Sequence, residues 1–401
     1  MTSSSATPLL QAKASRIVAE DVSFRTHMLE IAAGLPDVIA LGRGDPDLHT
    51  PAHIAAAAKR AIDDNQHHYT HPAGLPALRE AIASTLRSEN GLSYTPDEII
   101  VTAGVQESVM LCMLGLVNPG DEVLITSPRF TSYDDAVRLC GGVPVPVPTY
   151  EEDDFALMPA AIEQRITPRS KVLVLVSPNN PTGAVTPPAV IREIADLVVR
   201  HNLVLISDEI YAKLIYEGSE HLSAGSLPGM KERTITLNGF SKSYAMTGWR
   251  VGYMAAPEPF TRMLVEPRHT MSINSSTPAQ FAALAALTGP QDAVAAMLEE
   301  YAERRAYMMD ALTQMGFTYG HPGGGFYIYT NVSSAGMPSP QFCEEMLRGA
   351  QVLFFPGSMF GDESDRYIRI SYLQPMPRIR EAVERMQAFV DSARTQGAGR
   401  P

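Results

Sequence analysis

Short apolar runs bounded by turn residues alternate along the chain with stretches whose apolar positions recur every three or four residues. Continuous runs fall at residues 99–102, 123–126, 171–176 (KVLVLV), 203–207 (LVLIS), 234–237 and 251–256. Runs of this kind, without polar alternation, predict strands covered on both faces, as in parallel sheets. Between them, Val105, Val109, Cys112 and Leu116 share one face of a predicted helix, and residues 188–201 predict a crossover helix. Upstream, residues 38–41 predict a short strand that runs into the turn cluster Gly42-Arg43-Gly44-Asp45-Pro46-Asp47. Thr50-Pro51 predicts an N-cap followed by proline at the first helical position, opening a helix to about Asp63. Leu78, Ile82 and Leu86 mark another helix, which Gly91 ends.

Strands alternating with helices over about 100–255 predict a mostly parallel α/β sheet. Residues 291–315 then predict a long helix that leaves this sheet for a smaller α+β unit. The expected division is a disordered tail over 1–14 and a segment over 15–50 that joins the small domain. A large domain over 51–295, a small domain over 296–395 and a flexible tail over 396–401 complete it.

Composition narrows the class. Hydrophobic content of 45% and charged content of 19% describe a soluble globular protein. A net charge of −12 without a basic patch speaks against a nucleic-acid partner. Cys112, Cys140 and Cys343 form no CxxC pair and read as packed small hydrophobes. No apolar run approaches the roughly 18 residues of a membrane span, and the first residues show no secretory pattern, so a cytoplasmic location is expected. His67, His68 and His71 lie close together, but loop histidines without a carboxylate partner predict no metal site.

The chemistry gathers at strand ends. Lys242 follows Asn238-Gly239 in a serine-containing loop between two apolar runs, where burial would lower its pKa toward that of a nucleophilic amine. A surface loop lysine is the plain alternative; Gly239 and the downstream Gly248-Trp249-Arg250 argue against it. Ala103-Gly104-Val105-Gln106 is a strand-to-helix turn that would point free N–H groups at an anion. Ser177-Pro178-Asn179-Asn180-Pro181-Thr182-Gly183 follows a buried strand, where a ligand loop belongs. Another buried strand ends in Asp208, an acid that needs a cation for company.

The stretch Ser241-Lys242-x-x-x-Met246-Thr247-Gly248-Trp249-Arg250-x-Gly252 resembles the Schiff-base loop of class I aminotransferases, which are fold-type I pyridoxal-phosphate enzymes. Further markers follow the family's order from about residue 36 to 375. The resemblance implies a large domain with a seven-stranded-type, mostly parallel sheet between helices, and a smaller α+β domain. It implies pyridoxal phosphate as cofactor, with Lys242, Asp208 and Tyr211 as catalytic residues. Gly104, Val105, Gln106 and Arg250 would meet the phosphate, Phe130 would stack on the ring, and Asn180 and Tyr211 would meet its 3-oxygen. Glu209, next to Asp208, would face away with a structural role. Arg369 would clamp the substrate carboxylate beside Gly44 and Asn180, and Tyr69 would reach the cofactor phosphate of a partner subunit in a homodimer. The family often carries serine where this chain has Gly239, so one phosphate contact is either missing or supplied by Ser241. Arg43, where relatives commonly carry a small or apolar residue, is a candidate reader of a distal carboxylate; facing solvent or pairing with Asp45 is its plainer reading.

The implied activity is transfer of an amino group from an L-amino acid to a 2-oxo acid, with 2-oxoglutarate expected, in a ping-pong cycle. A carbon–sulfur β-lyase is the enzymatic alternative on the same residues. A cofactor-binding transcriptional regulator is the non-enzymatic one, but it needs a DNA-binding domain, and fewer than 40 residues precede the first family-like segment.

Overall fold

The computed structural model describes residues 24–362 and 364–397. The tail over 1–14, the start of the 15–50 segment and residues 398–401 of the last tail lie outside the described residues. The first strand, β1 (Ile39–Ala40), is only two residues long. A seven-stranded sheet follows, built from β2 (Ile99–Thr102), β3 (Glu122–Ser127), β4 (Val143–Pro148), β5 (Ser170–Val176), β6 (Val204–Asp208), β7 (Thr234–Gly239) and β8 (Gly252–Ala255). Its order is β2-β8-β7-β6-β5-β3-β4, and β8 alone runs antiparallel to its neighbours.

Both faces of this sheet are buried, as the unbroken apolar runs require. Along β5, Val172 and Val174 enter one core with Val123, Ile125 and Ile206, while Leu173 and Leu175 enter another with Leu124 and Leu205. The helix Val105–Leu116 contributes to the first core and Pro188–Arg200 to the second. A third core joins Ile99 and Val101 to the helices Ala52–Asp63, Pro76–Asn90 and Thr277–Thr288.

The strand β4 (VPVPVP) is absent from the apolar pattern because proline argues against a strand. It lies at the sheet edge. Val143 donates to Asp121 O and Thr149 to Ser127 O, so the alternate positions 144, 146 and 148 are those whose N–H would face away from β3. Proline there costs no ladder bond.

Beyond the sheet, β9 (Thr318–Tyr319), β10 (Tyr327–Asn331), β12 (Phe355–Pro356) and β13 (Tyr367–Ser371) form a four-stranded antiparallel sheet. β1 pairs in parallel with β11 (Val352–Leu353), and Met28, Ile39 and Leu41 share a core with Ile328, Ile368 and Ile370. No single helix among the described residues is long and apolar enough to cross a membrane.

One local expectation fails. Thr50 is not an N-cap: Pro51 holds that place for the helix Ala52–Asp63, with no side-chain cap. The Thr50 hydroxyl instead donates to Ala245 O at 2.6 Å and accepts from Trp249 Nε1 at 3.1 Å. Tying down the loop around Lys242 wins over capping.

A buried ion pair orders the chain after β3. Arg129 donates to Asp134 through Nε (2.6 Å) and Nη2 (2.5 Å), with side chains only 9% and 2% exposed, and its N–H reaches Phe360 O at 2.8 Å. Removing one partner of such a pair strands a buried charge. Asp134→Ala is expected to lower unfolding stability by about 3 kcal/mol in denaturant titration; a loss below about 1 kcal/mol would show the guanidinium finding other company.

Candidate active site

One edge of the large sheet collects the sequence-marked residues. The carboxyl ends of β2, β5, β6 and β7 deliver Gly104, Asn180, Asp208 and Lys242, and the start of the antiparallel β8 delivers Arg250 to the same edge. Ligands bind at such an edge in open α/β sheets because the loops diverge there.

Lys242 is largely enclosed, and its Nζ donates to Gly44 O at 2.6 Å. Burial pulls its pKa down to about 8; Arg369 and Arg250 lower it further, while Asp45 and Asp208 oppose them. Gly44 has to be glycine, because a Cβ there would overlap the Tyr327 hydroxyl. Tyr327 in turn lies 3.4 Å, oxygen to oxygen, from the buried Tyr211, and 4.5 Å from the Arg369 guanidinium.

Arg369 is held flat. Its guanidinium lies between the rings of Tyr327 and Phe360, at 4.5 and 4.4 Å from their centres. Nη1 donates to Asn180 Oδ1 at 2.9 Å and Nη2 to Gly42 O at 2.7 Å, while the buried Nε has no partner among the described residues. A guanidinium can only donate, so the Asn180 oxygen faces Arg369 and its amide nitrogen points elsewhere.

Asp208 is 4% exposed; burial raises its pKa to about 6, against hydrogen bonds from the Tyr133 hydroxyl and the Ile210 N–H. A carboxylate so placed is stabilised by any cation that reaches it. Glu209 does face away: it is buried on hydrogen bonds with Ser207, Ser223 and His221.

At the end of β2, Gly104 has φ 85° and precedes the helix Val105–Leu116, whose first N–H groups have no intrahelical partner. A Cβ on Gly104 would stand 2.7 Å from Arg250 Nη2, so the guanidinium lies directly over this turn. Arg250, itself at φ 53°, is fixed by bonds from Nη1 to Thr247 O (2.9 Å) and Nη2 to Ala103 O (3.2 Å). Val105 is half-buried and Gln106 exposed. Ser241 is buried, and Gly239 faces Gly252, whose Cα would be 3.0 Å from a Cβ. Phe130 leaves 42% of its surface open.

Two marked residues stand apart. Tyr69 is 79% exposed on a loop tied down by Thr277, whose hydroxyl donates to His68 O, and by Gln280 on Thr70. Arg43 is exposed and pairs with no carboxylate among the described residues; Asp45 accepts instead from Thr247. His71 accepts from Ala73 N–H, a turn contact.

Residues 36–386 match the aminotransferase class I and II family. The chain belongs to this family. It is 43% identical to an aspartate aminotransferase of Pyrococcus abyssi, over 90% of this chain and 93% of that one. It is 41% identical to aromatic-amino-acid aminotransferase 2 of Thermococcus litoralis, over the same shares. Among solved structures, the aromatic aminotransferase of Pyrococcus horikoshii OT3 superposes with a TM-score of 0.87 at 42% identity, covering 92% of this chain and 99% of that one. The aspartate aminotransferase of Thermus thermophilus with maleate gives 0.86 at 39%, covering 94% and 98%.

Class I and II aminotransferases depend on pyridoxal phosphate, and this aminotransferase has the groups to hold it. A buried amine of lowered pKa, a glycine turn under an arginine and a buried carboxylate in no ion pair among the described residues all fit that molecule. Three contributors escaped sequence reasoning. Tyr133 lies six residues after β3 and carries no motif; only the fold brings its hydroxyl to Asp208. Tyr327 and Phe360 sit in the second sheet's neighbourhood and look like core aromatics until Arg369 is found between them.

The lowered Lys242 pKa has a consequence for stability. Below about pH 8 the folded, cofactor-free protein buries an ammonium, and this cost disappears as pH rises from about 8 to the unfolded value of 10.5. A shift of this size corresponds to about 3 kcal/mol, of which the lost Gly44 bond offsets about 1. Lys242→Met is therefore expected to stabilise the cofactor-free protein at pH 7, with the gain shrinking toward pH 10. Thermal melts across that range check it; a gain independent of pH would contradict the buried charge.

Proposed function

We propose that this aminotransferase transfers the amino group of an L-amino acid to 2-oxoglutarate, with Lys242 anchoring the cofactor and carrying the proton. The observation that supports this most directly is the chain of contacts Lys242–Gly44–Tyr327–Arg369–Asn180, which sets a buried amine beside a carboxylate-binding guanidinium. When bound, pyridoxal phosphate supplies an electron sink for charge developing at the substrate α-carbon. Asp208, held in place by Tyr133 and Ile210, would accept a hydrogen bond from the cofactor's protonated ring nitrogen and keep that nitrogen cationic. Asn180, its oxygen already engaged by Arg369, has its amide free to donate to the ring oxygen, as does the Tyr211 hydroxyl. Phe130 offers an exposed ring, and Gly104, Val105, Gln106 and Arg250, with Ser241, would hold the phosphate.

Arg369 grips the substrate α-carboxylate with donors that two aromatic rings keep in plane. Lys242 Nζ, its pKa near 8, then accepts the α-proton as general base. The 2-oxo product leaves before the acceptor enters, which is the ping-pong order. We assign the cofactor-binding domain to 51–295 and the small domain to 15–50 plus 296–395; the separate sheets support this division, and Ala184, Ile210, Tyr211 and Leu214 of the larger unit pack into the core of the smaller one. The exposed Tyr69 suits a homodimer in which it meets the partner's cofactor, and we place the enzyme in the cytoplasm.

An absorbance titration of the purified enzyme with L-amino acids, without acceptor, tests the activity. A shift of the cofactor band to shorter wavelength with one 2-oxo acid released per site is expected. Repeated release of ammonia and pyruvate would move the enzyme to the β-lyases, and Lys242→Ala should abolish turnover. Arg43, exposed and without an acidic partner among the described residues, is the proposed reader of a distal carboxylate, a role that fits relatives named for aspartate and a structure bound to maleate. Arg43→Ala is expected to cut kcat/KM for aspartate about tenfold, with little change for an uncharged amino acid. Equal losses on both substrates would remove this role.

A further inference from the structure

The turn under Arg250 has a carboxylate built into it. Glu107 lies in the first turn of the helix Val105–Leu116 with its side chain 8% exposed. Its Oε2 accepts from Ala103 N–H and its Oε1 from the Ser272 hydroxyl, both at 2.5 Å. An acid suits a helix N-terminus, yet here it adjoins the place assigned to a phosphate and takes up an N–H of the same turn.

Behind it stands Arg268, fully buried, with Nη2 at 2.8 Å from Ser275 Oγ and 3.7 Å from Glu107 Oε2. Its Nε and Nη1 have no partner among the described residues, where Glu107 is the one anion within 4 Å of this guanidinium. Between Ser272 and Ser275, Ile273 adopts φ 59°, ψ −68°, and Asn274 N–H closes on Ser272 O at 2.6 Å. A β-branched residue in such a γ-turn is strained and persists only where its surroundings hold it. Both flanks are held by one network, Ser272 on Glu107 and Ser275 on Arg268.

We propose that Glu107 is a positioning residue for the cofactor phosphate, locked by Ser272 and Arg268 so that it fixes the Ala103–Gly104 turn beneath Arg250. This rests on the reading of that turn as the phosphate cradle. Without the carboxylate, Ala103 N–H loses its acceptor, the turn loses its link to the 272–275 segment, and Arg268 is left with a hydroxyl alone. The amide of glutamine would preserve the acceptor for Ala103, so the bond and the charge are separable.

The test compares dissociation constants of pyridoxal phosphate and of pyridoxal for the full-length, cofactor-depleted enzyme. Glu107→Ala is expected to weaken the phosphorylated form about tenfold, the size of one charge-assisted hydrogen bond, and the unphosphorylated form less than about twofold. Glu107→Gln should restore most of the difference. Equal weakening of both forms, or a glutamine variant as weak as the alanine one, overturns the proposal. Should Glu107→Ala not fold, Ser272→Ala releases the same carboxylate from the surface side; an unchanged ratio of the two constants there also overturns it. Wild-type enzyme that binds both forms equally would remove the cradle itself, and that failure is separable because it precedes any substitution.

Discussion

A primary amine held almost out of water, donating to Gly44 O, sets the terms for the rest of the molecule. Keeping Lys242 there requires that β7 end at the sheet edge and that the 42–47 loop come to it. That loop is itself clamped: Leu41 O accepts from Ser371 N–H and hydroxyl, and Gly42 O from Arg369. The side chain missing from Gly44 is what lets Tyr327 approach, and Tyr327 is what flattens Arg369. Each contact is modest alone. Together they leave the amine, the acid and the guanidinium in fixed relative positions, which is the preorganisation that makes electrostatic catalysis effective.

The two sheets meet through this site rather than beside it. Arg369 belongs to β13 of the antiparallel sheet, while its partner Asn180 follows β5 of the parallel one. Arg129, after β3, makes the same crossing to Phe360. Glycines at 183 and 324 allow the backbones to touch where the sheets abut: a Cβ on Gly183 would stand 2.6 Å from Tyr327 O. The lysine and acid proposed for the cofactor thus come from one sheet and the guanidinium proposed for the substrate from the other, joined by a few hydrogen bonds across the seam.

The legible part of the chain was the part in which local pattern and final environment agree. Unbroken apolar runs such as KVLVLV lie in a sheet buried on both faces, and the strand ends bearing Asp208 and Lys242 follow from them. Strand β4 was not legible, since its prolines are excluded from most strands and only an edge position with alternate N–H groups turned outward admits them. Thr50 misled for a related reason, because its hydroxyl had a distant acceptor at Ala245 that no local rule contains. Tyr133, Phe360 and Glu107 act through neighbours remote in sequence, so periodicity places them on a helix or in a core without saying what they face.

The edges of the large sheet carry a last consequence. On the β4 side, proline at every second residue denies an incoming strand its donors. On the β2 side, Val101 N–H is already taken by Ala73 O and Ile99 O by Arg79. Neither border can be lengthened by another backbone, which guards the sheet against strand-by-strand aggregation. Association between copies through a border of this sheet is disfavoured on both sides. The loop that seals the β2 border is the one that lifts Tyr69 into solvent, so one segment both closes the sheet and offers a side chain outward.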